Sequence, residues 1–385
     1  MTIDLRCSAG RLLATLSLIA AAGCSAPAAP APTAAPPAPT SPPAAKPTSP
    51  PAAAAPAATA APTGAANPAA TTAAAQPIDN APFKLGNNST PEQAYLPTYI
   101  AMDAMKKAGY NVVEPVTFKS DVLAIQALAT NETQLMTGAL PATAGAVDKG
   151  LPIKVIATRA NNAWSLVANK DITDCKQLDG KSVGIFSEAG VSTAYLKIYL
   201  QQNCPDAQPN YLIIADSPLR RQALEAGQLV ATPLEPGDAT DIVAKNGDKF
   251  HVLANFSQTM PDIGRDIITT NTSMLNEHPT IVRAFLKSYL QAIRSIYDNP
   301  DSVPQLDTQH LQLGETARGV AKFFTDNKMW CANGGLGDDN IRHSLDVFGK
   351  QYTFVPATMT FEQLVDPGPM NAVLGELGKS NATTC

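Results

Sequence analysis

Asp179-Gly180-Lys181-Ser182-Val183-Gly184-Ile185-Phe186-Ser187-Glu188-Ala189-Gly190-Val191-Ser192-Thr193-Ala194-Tyr195-Leu196 reads as turn, strand, small-residue loop and helix. Asp-Gly opens a short apolar run, residues 181–186, that suits a buried strand. Gly190 permits tight backbone, and Ser192 or Thr193 is placed to cap a helix reaching about residue 202. A helix that starts where a strand leaves a sheet presents backbone N–H groups to a ligand, often an anion. An ordinary βα loop without a site has the same pattern. Two motifs fail here. Gly180-Lys181-Ser182 lacks the glycine a phosphate-binding loop needs at position 175, where Cys175 stands, and it precedes the strand instead of following it. Gly184-x-x-Ser187 has the wrong spacing for a nucleophile elbow.

The same alternation extends on both sides. Upstream, strands are expected at 83–87, 111–118, 134–137 and 153–158. Ser89-Thr90-Pro91-Glu92 opens a helix running toward Lys107 with a kink at Pro97, and further helices follow Ser120 and Pro141. Downstream, strands are expected at 211–215, 229–232, 250–254 and 265–270, with helices at 218–226 and 237–245. From Met274 the chain reads mostly helical, including a long apolar-periodic stretch at 278–297. This order implies an α/β fold with parallel sheets covered by helices, and ligands at the carboxyl ends of strands. There is also an internal echo. Ser120…Gln126-Ala127-Leu128, a strand and Gly138-Ala139-Leu140-Pro141 parallel Ser217…Gln222-Ala223-Leu224, a strand and Pro233-Leu234-Glu235-Pro236. Two similar lobes would set these loops facing each other over a cleft.

The N-terminus reads as an export signal. Arg6 and Arg11 precede an apolar core at 12–22 that is too short to span a bilayer. Ala21-Ala22-Gly23-Cys24 then resembles a lipobox, with Cys24 as lipid anchor and residues 1–23 as a lipoprotein signal peptide. Residues 24–77 are dominated by Ala, Pro and Thr, with Lys46 as the single charge, and are expected to form a disordered tether. The formal charge of −5 offers no basic footprint for nucleic acid. Cys175, Cys204, Cys331 and Cys385 remain in the exported domain. Their even number suggests two disulfides with three possible pairings, and pairing within each region is the simplest. His251, His278, His310 and His343 have no metal-ligand spacing, so neither metal nor cofactor is expected.

The chain resembles the substrate-binding proteins of ABC importers, in the sulfonate, taurine, nitrate and thiamine-precursor (NMT1/THI5-like) branch. The residues that carry the resemblance are Ser120…Gln126-Ala127-Leu128, Leu178-Asp179-Gly180-Lys181-Ser182-Val183-Gly184, Gln222-Ala223-Leu224-Glu225-Ala226-Gly227-Gln228, Leu234-Glu235-Pro236, and Asn271 through His278-Pro279. The resemblance implies a type II periplasmic binding protein fold, with two α/β lobes joined by a two-segment hinge. The crossings are then expected near 167–171 and 259–265, giving lobe 1 as 78–170 and 261–385 and lobe 2 as 171–260. It further implies a monomeric, non-enzymatic protein, lipid-anchored outside the bacterial cell membrane, that delivers a small solute to ABC permease subunits. The candidate contacts in lobe 1 are Asn87, Asn88, Ser89, Tyr95, Leu140, Pro141, Asn161, Asn162 and Trp164. In lobe 2 they are Ser187, Glu188, Ser192, Thr193 and Glu235, with Asp262 at the second crossing. Sulfonate binders hold an anion at the helix N-terminus. Here Glu188, Glu235 and Asp262 oppose an anion unless Arg159 or Arg265 pairs with them. The ligand is therefore a sulfonate or nitrate-like anion, or equally a heterocycle or amine. The alternatives are an enzyme resembling thiamine-pyrimidine synthase, whose cysteine-rich motif has no counterpart here, and a module presenting ligand to a sensory receptor.

Overall fold

The computed structural model describes residues 78–264, 266–313, 317–383 and 385. The stretches expected to form the signal peptide, the lipid anchor at Cys24 and the tether, together with Arg265, lie outside the described residues. Two five-stranded sheets organise the chain. The first has the order β2-β1-β3-β10-β4, from β1 (Phe83–Asn87), β2 (Val112–Thr117), β3 (Leu135–Ala139), β4 (Ile153–Ala160) and β10 (Asp266–Asn271). The second has the order β7-β6-β8-β5-β9, from β5 (Ser165–Asn169), β6 (Ser182–Ile185), β7 (Asn210–Ile213), β8 (Ala231–Leu234) and β9 (Phe250–Asn255). Each sheet is mixed, which corrects the expectation of parallel sheets. β1 runs parallel to β2 and β3, and β6 runs parallel to β7 and β8. β10 is antiparallel to β3 and β4, and β5 is antiparallel to β8 and β9. The antiparallel strand in each sheet is the one that enters directly from the other lobe.

That topology moves the first crossing. Residues 165–169 form β5 inside the second sheet, so the chain changes lobes at 161–164, ahead of the expected 167–171. Ser165-Leu-Val-Ala is almost wholly buried, as a strand covered on both faces must be. The return crossing lies between β9 and β10, through the short helix Phe256–Thr259. Gly264 sits there with φ +61°, and a Cβ would come 2.9 Å from the Phe348 ring and 3.0 Å from Tyr195. The Tyr195 hydroxyl donates to the Gly264 carbonyl at 2.6 Å.

Helices follow the parallel strands in both lobes: α1 (Leu96–Lys107), α2 (Asp121–Ala129) and α3 (Leu140–Asp148) in the first, α4 (Val191–Asn203), α5 (Ser217–Glu225) and α6 (Pro236–Asn246) in the second. Pro97 does not kink α1. It occupies the first turn, where its missing N–H costs nothing. α4 starts after Gly190, and no side chain caps it, so Ser192 and Thr193 lie inside the helix. Gly184 in β6 is required by close approach, since a Cβ would meet Leu229 Cδ1 at 2.6 Å and Thr232 Oγ1 at 2.8 Å. The long helix Pro279–Asp298 buries Ile281, Phe285, Tyr289 and Ile293 against the first sheet's core. Cys175 pairs with Cys204 and Cys331 with Cys385, with Cα–Cα distances of 6.0 and 4.8 Å.

The two lobes share one topology. In each, the parallel strands run 2-1-3, the entering strand lies next to the third, and the fourth closes the far edge. The sequence echo falls on equivalent places, α2 with α5 and the β3–α3 join with the β8–α6 join.

Candidate functional site

The loops after β1, β2, β6, β7 and β8 converge on one cavity between the lobes. It is narrow, about 20 Å³, and its walls include Asn88, Ser89, Asp121, Trp164, Ser192 and Arg220; a roomier cavity of about 390 Å³ shares Ser89, Asp216, Ser217 and Glu235 with it. Arg159, Asp216, Glu235 and Asp266 also reach the narrow cavity.

On the lobe 1 side the centre is Arg159, near the end of β4. Its Nη2 donates to Asp266 Oδ2 at 2.5 Å and its Nη1 to Glu92 Oε1 at 3.1 Å. The guanidinium lies over the Tyr95 ring, 3.9 Å from the centroid. A flat cation over a ring face, closed by two carboxylates, is the geometry arginine favours when buried. Burial works against the Arg159 charge, but Asp266, Tyr95 and Glu92 together outweigh it and hold the proton more firmly. The Tyr95 hydroxyl donates to Asn88 Oδ1 at 3.0 Å and lies 2.7 Å from Ser89 Oγ. Asn88 Nδ2 then donates to Asp121 Oδ1 at 2.9 Å, and the Ala139 N–H donates to the same oxygen at 3.1 Å. Asp121 Oδ2 is buried without a partner. Desolvation pushes the Asp121 carboxyl up to about 6.

On the lobe 2 side, α5 and the β8–α6 join supply the groups. Arg220 is fully buried. Its Nε donates to the Pro233 carbonyl and its Nη1 to the Ile214 carbonyl, both at 3.1 Å. Its Nη2 has no partner. The guanidinium lies 5.7 Å from the Trp164 ring centroid and 6.0 Å from that of Phe186. Desolvation lowers its pKa to about 10. Glu235 precedes α6, with its N–H donating to Ser217 Oγ at 3.0 Å. Desolvation, reinforced by the charge of Glu92, raises its carboxyl well above the ordinary range.

The lobes also touch directly. Asp216 Oδ1 accepts the Thr90 N–H at 3.1 Å, and Asp216 Oδ2 lies 2.9 Å from Lys119 Nζ. Asp216 and Lys119 both have left-handed backbone, with φ 65° and 53°. They belong to equivalent turns, β7–α5 and β2–α2.

The NMT1/THI5 like family model matches residues 98–303, more than half of the chain. The chain belongs to the NMT1/THI5-like family. No curated protein matches the sequence of this family member. Solved structures share its fold at low identity. One is the ligand-binding component of an ABC-type import system from Staphylococcus aureus, solved with zinc bound. It has a TM-score of 0.63 and 14% identity, over 76% of this chain and 98% of that one. Another is the periplasmic nitrate-binding protein NrtA from Synechocystis PCC 6803, with a TM-score of 0.64 and 13% identity, over 78% and 90%. A third is the periplasmic aliphatic sulphonate binding protein SsuA from Escherichia coli, with a TM-score of 0.58 and 13% identity, over 75% and 92%. They establish the periplasmic binding protein fold for this NMT1/THI5-like chain, with two α/β lobes and a two-segment hinge.

Within that fold the expected contacts separate. Asn88, Ser89, Trp164, Ser192 and Glu235 line the cavity, and Tyr95 lies beneath it under Arg159. The others are placed elsewhere. Asn87 is buried at the end of β1 with its Nδ2 donating to Tyr99, and Leu140 and Pro141 are packed in the first turn of α3. Asn161 sits beside the Cys331–Cys385 bridge. Asn162 ties the two crossings together by donating to the Phe256 and Met260 carbonyls. The Ser187 Oγ and Thr193 Oγ1 are buried outside the cavity wall. Glu188 is exposed and pairs with Lys197 at 2.6 Å, and Asp262 is exposed. Glu188, expected to meet the ligand near the start of α4, is not among the residues lining this cavity. Arg159 does pair with acids, as the charge argument required, but with Glu92 and Asp266.

The residues not anticipated are Asp121, Asp216 and Ser217 at helix starts, Phe186 after β6, Arg220 one turn into α5, and Asp266 in β10. One signal for them was present. Asp121 and Asp216-Ser217 sit at matching positions of the echo, where helix starts after strands face the ligand side. Arg220 carries no such mark, because an arginine on an otherwise polar helix face reads as exposed.

Proposed function

We propose that this chain is an extracytoplasmic solute-binding protein that captures a small polar solute between its lobes and delivers it to an ABC permease. The observation that carries the reading is the meeting of buried, incompletely satisfied groups from both lobes around one cavity. Asp121 Oδ2 comes from one lobe and Arg220 Nη2 from the other, and both are without partners. A buried polar atom left unpaired costs about 1–3 kcal/mol, so a solute that pairs with both favours the closed arrangement over the open one. The nitrate and aliphatic sulphonate binding proteins of the same fold support this reading. So does the N-terminal sequence, in which export, lipidation at Cys24 and the tether of residues 24–77 keep the domain near a membrane but free to move. The two cystine bridges form after export, and the domain works as a monomer.

The chain binds its solute and does not transform it. Arg159 is engaged by Glu92 and Asp266, and Arg220 by two backbone carbonyls. Native mass spectrometry of protein purified without unfolding tests the reading. One small solute should be retained per chain, be released unchanged, and be lost from Trp164→Ala. A solute recovered as a changed product, or held equally well by the variant, would count against it.

A further inference from the structure

The proposed solute site leaves the class of solute open, and the unpaired atoms in its walls narrow it. Four kinds of group line the cavity. Asp121, at 1% exposure, offers an unpartnered carboxylate oxygen from lobe 1. Arg220, at 0% exposure, offers an unpartnered guanidinium N–H from lobe 2. Val191 and Ser192 bring the uncapped start of the 13-residue helix α4 to the same wall as Arg220. Trp164 and Phe186 add ring faces beside Arg220.

The other charges are already matched. Glu92 and Asp266 share Arg159, whose Nε alone is left buried without a partner, and Asp216 is paired with Lys119. Glu235 is the remaining acid, and desolvation with the neighbouring Glu92 charge favours its neutral form. Two complementary needs remain. An anionic group satisfies Arg220 and the positive end of α4. A cationic or N–H-donating group satisfies Asp121. A solute with only an anion leaves Asp121 buried and unpaired, and one with only a cation leaves Arg220 so, a cost that discriminates strongly in a closed site.

From this we infer that the solute is a small dipolar molecule, its anionic end held by Arg220 and the start of α4 and its cationic or N–H-donating end held by Asp121. This rests on the interlobe cavity being the solute site. Specificity then comes from two residues on opposite lobes, so only a solute that spans both ends closes the cleft.

Matched solute series decide the matter. Each series has a dipolar member and its two single-ended analogues: β-alanine with propionate and propylamine, and 4-(aminomethyl)benzoate with benzoate and benzylamine. Thermal shift and tryptophan fluorescence are read for the solute-stripped wild type, Asp121→Asn and Trp164→Ala. At least one dipolar member should bind, with affinity about tenfold or more above both its analogues. Asp121→Asn should bring that member down to the level of its anionic analogue. A single-ended analogue that binds as well as its dipolar partner overturns the inference, and so does the absence of binding by every dipolar member. Should Asp121→Asn fail to fold, the wild-type series alone still decides. Trp164→Ala separates the two failures. If it abolishes binding of a single-ended solute, the cavity is the site and the class is wrong. If it leaves all binding unchanged, the placement of the site is wrong.

Discussion

Asp121 concentrates the tension of the site at the scale of one residue. Its Oδ1 accepts from Asn88 and the Ala139 N–H, while its Oδ2 accepts from nothing. Burial holds its carboxyl at about 6, above the ordinary carboxylate value of roughly 4. Between those values the folded chain binds a proton that the unfolded chain has released. This contribution therefore favours the fold most below pH ~4 and is lost as pH rises through about 6, by on the order of 3 kcal/mol. Burial raises Glu92, Glu235 and Asp266 in the same sense. The solute-free protein should accordingly melt at higher temperature at pH 5 than at pH 8. Asp121→Asn keeps an acceptor for Asn88 and Ala139 and removes the charge, so its melting temperature should vary less over that interval. An undiminished slope in the variant would show that Asp121 titrates elsewhere. Glu188 makes the opposite case. It is 60% exposed at its side chain and holds only Lys197, so Glu188→Gln should change stability by less than about 1 kcal/mol and leave solute affinity unaltered. A changed affinity in titration calorimetry would return Glu188 to the site.

At the scale of elements, the equivalent turns β2–α2 and β7–α5 form a contact across the cleft through Lys119 and Asp216. Asp216 is nearly buried while Lys119 is half exposed, so the pair contributes to holding the lobes together more than to folding either one. Lys119→Met should release bound solute several-fold faster, with the solute-free melting temperature nearly unchanged. Stopped-flow displacement measures this, and an unchanged release rate would remove the contact from the closing mechanism. Much of this architecture was legible in the sequence. Strands β1, β6 and β9, the helices after β1 and β6 and the lobe echo follow from apolar runs, Asp-Gly turns and helix-start residues. β5 was not, because residues 165–169 form a short run without turn signals beside a lobe crossing, and only pairing with β8 and β9 defines it. The site was half legible for a related reason. Asn88, Ser89 and Glu235 sit at predictable strand ends, and Ser192 in the first turn of the helix after β6. Whether a charged side chain such as Glu188 or Arg220 turns inward depends on packing that spacing does not encode.

At the scale of the whole molecule, no helix of the described residues is long and apolar enough to cross a membrane. In the proposed function, membrane attachment is through Cys24. Cys24→Ser should move the protein from the membrane to the soluble fraction after a carbonate wash, and persistence in the membrane would refute the anchor. The central claim is that the lobes close over a solute, using two crossings that Asn162 and Gly264 hold in register. Spin labels at Leu123 on α2 and Leu219 on α5, both exposed, report the distance between the lobes directly. Protein carrying its retained solute should give one short, narrow distance distribution. Protein stripped by unfolding and refolding with its bridges intact should give a longer, broader one that shortens when the solute is returned. A distribution that stays the same whether the solute is bound or absent would contradict the account.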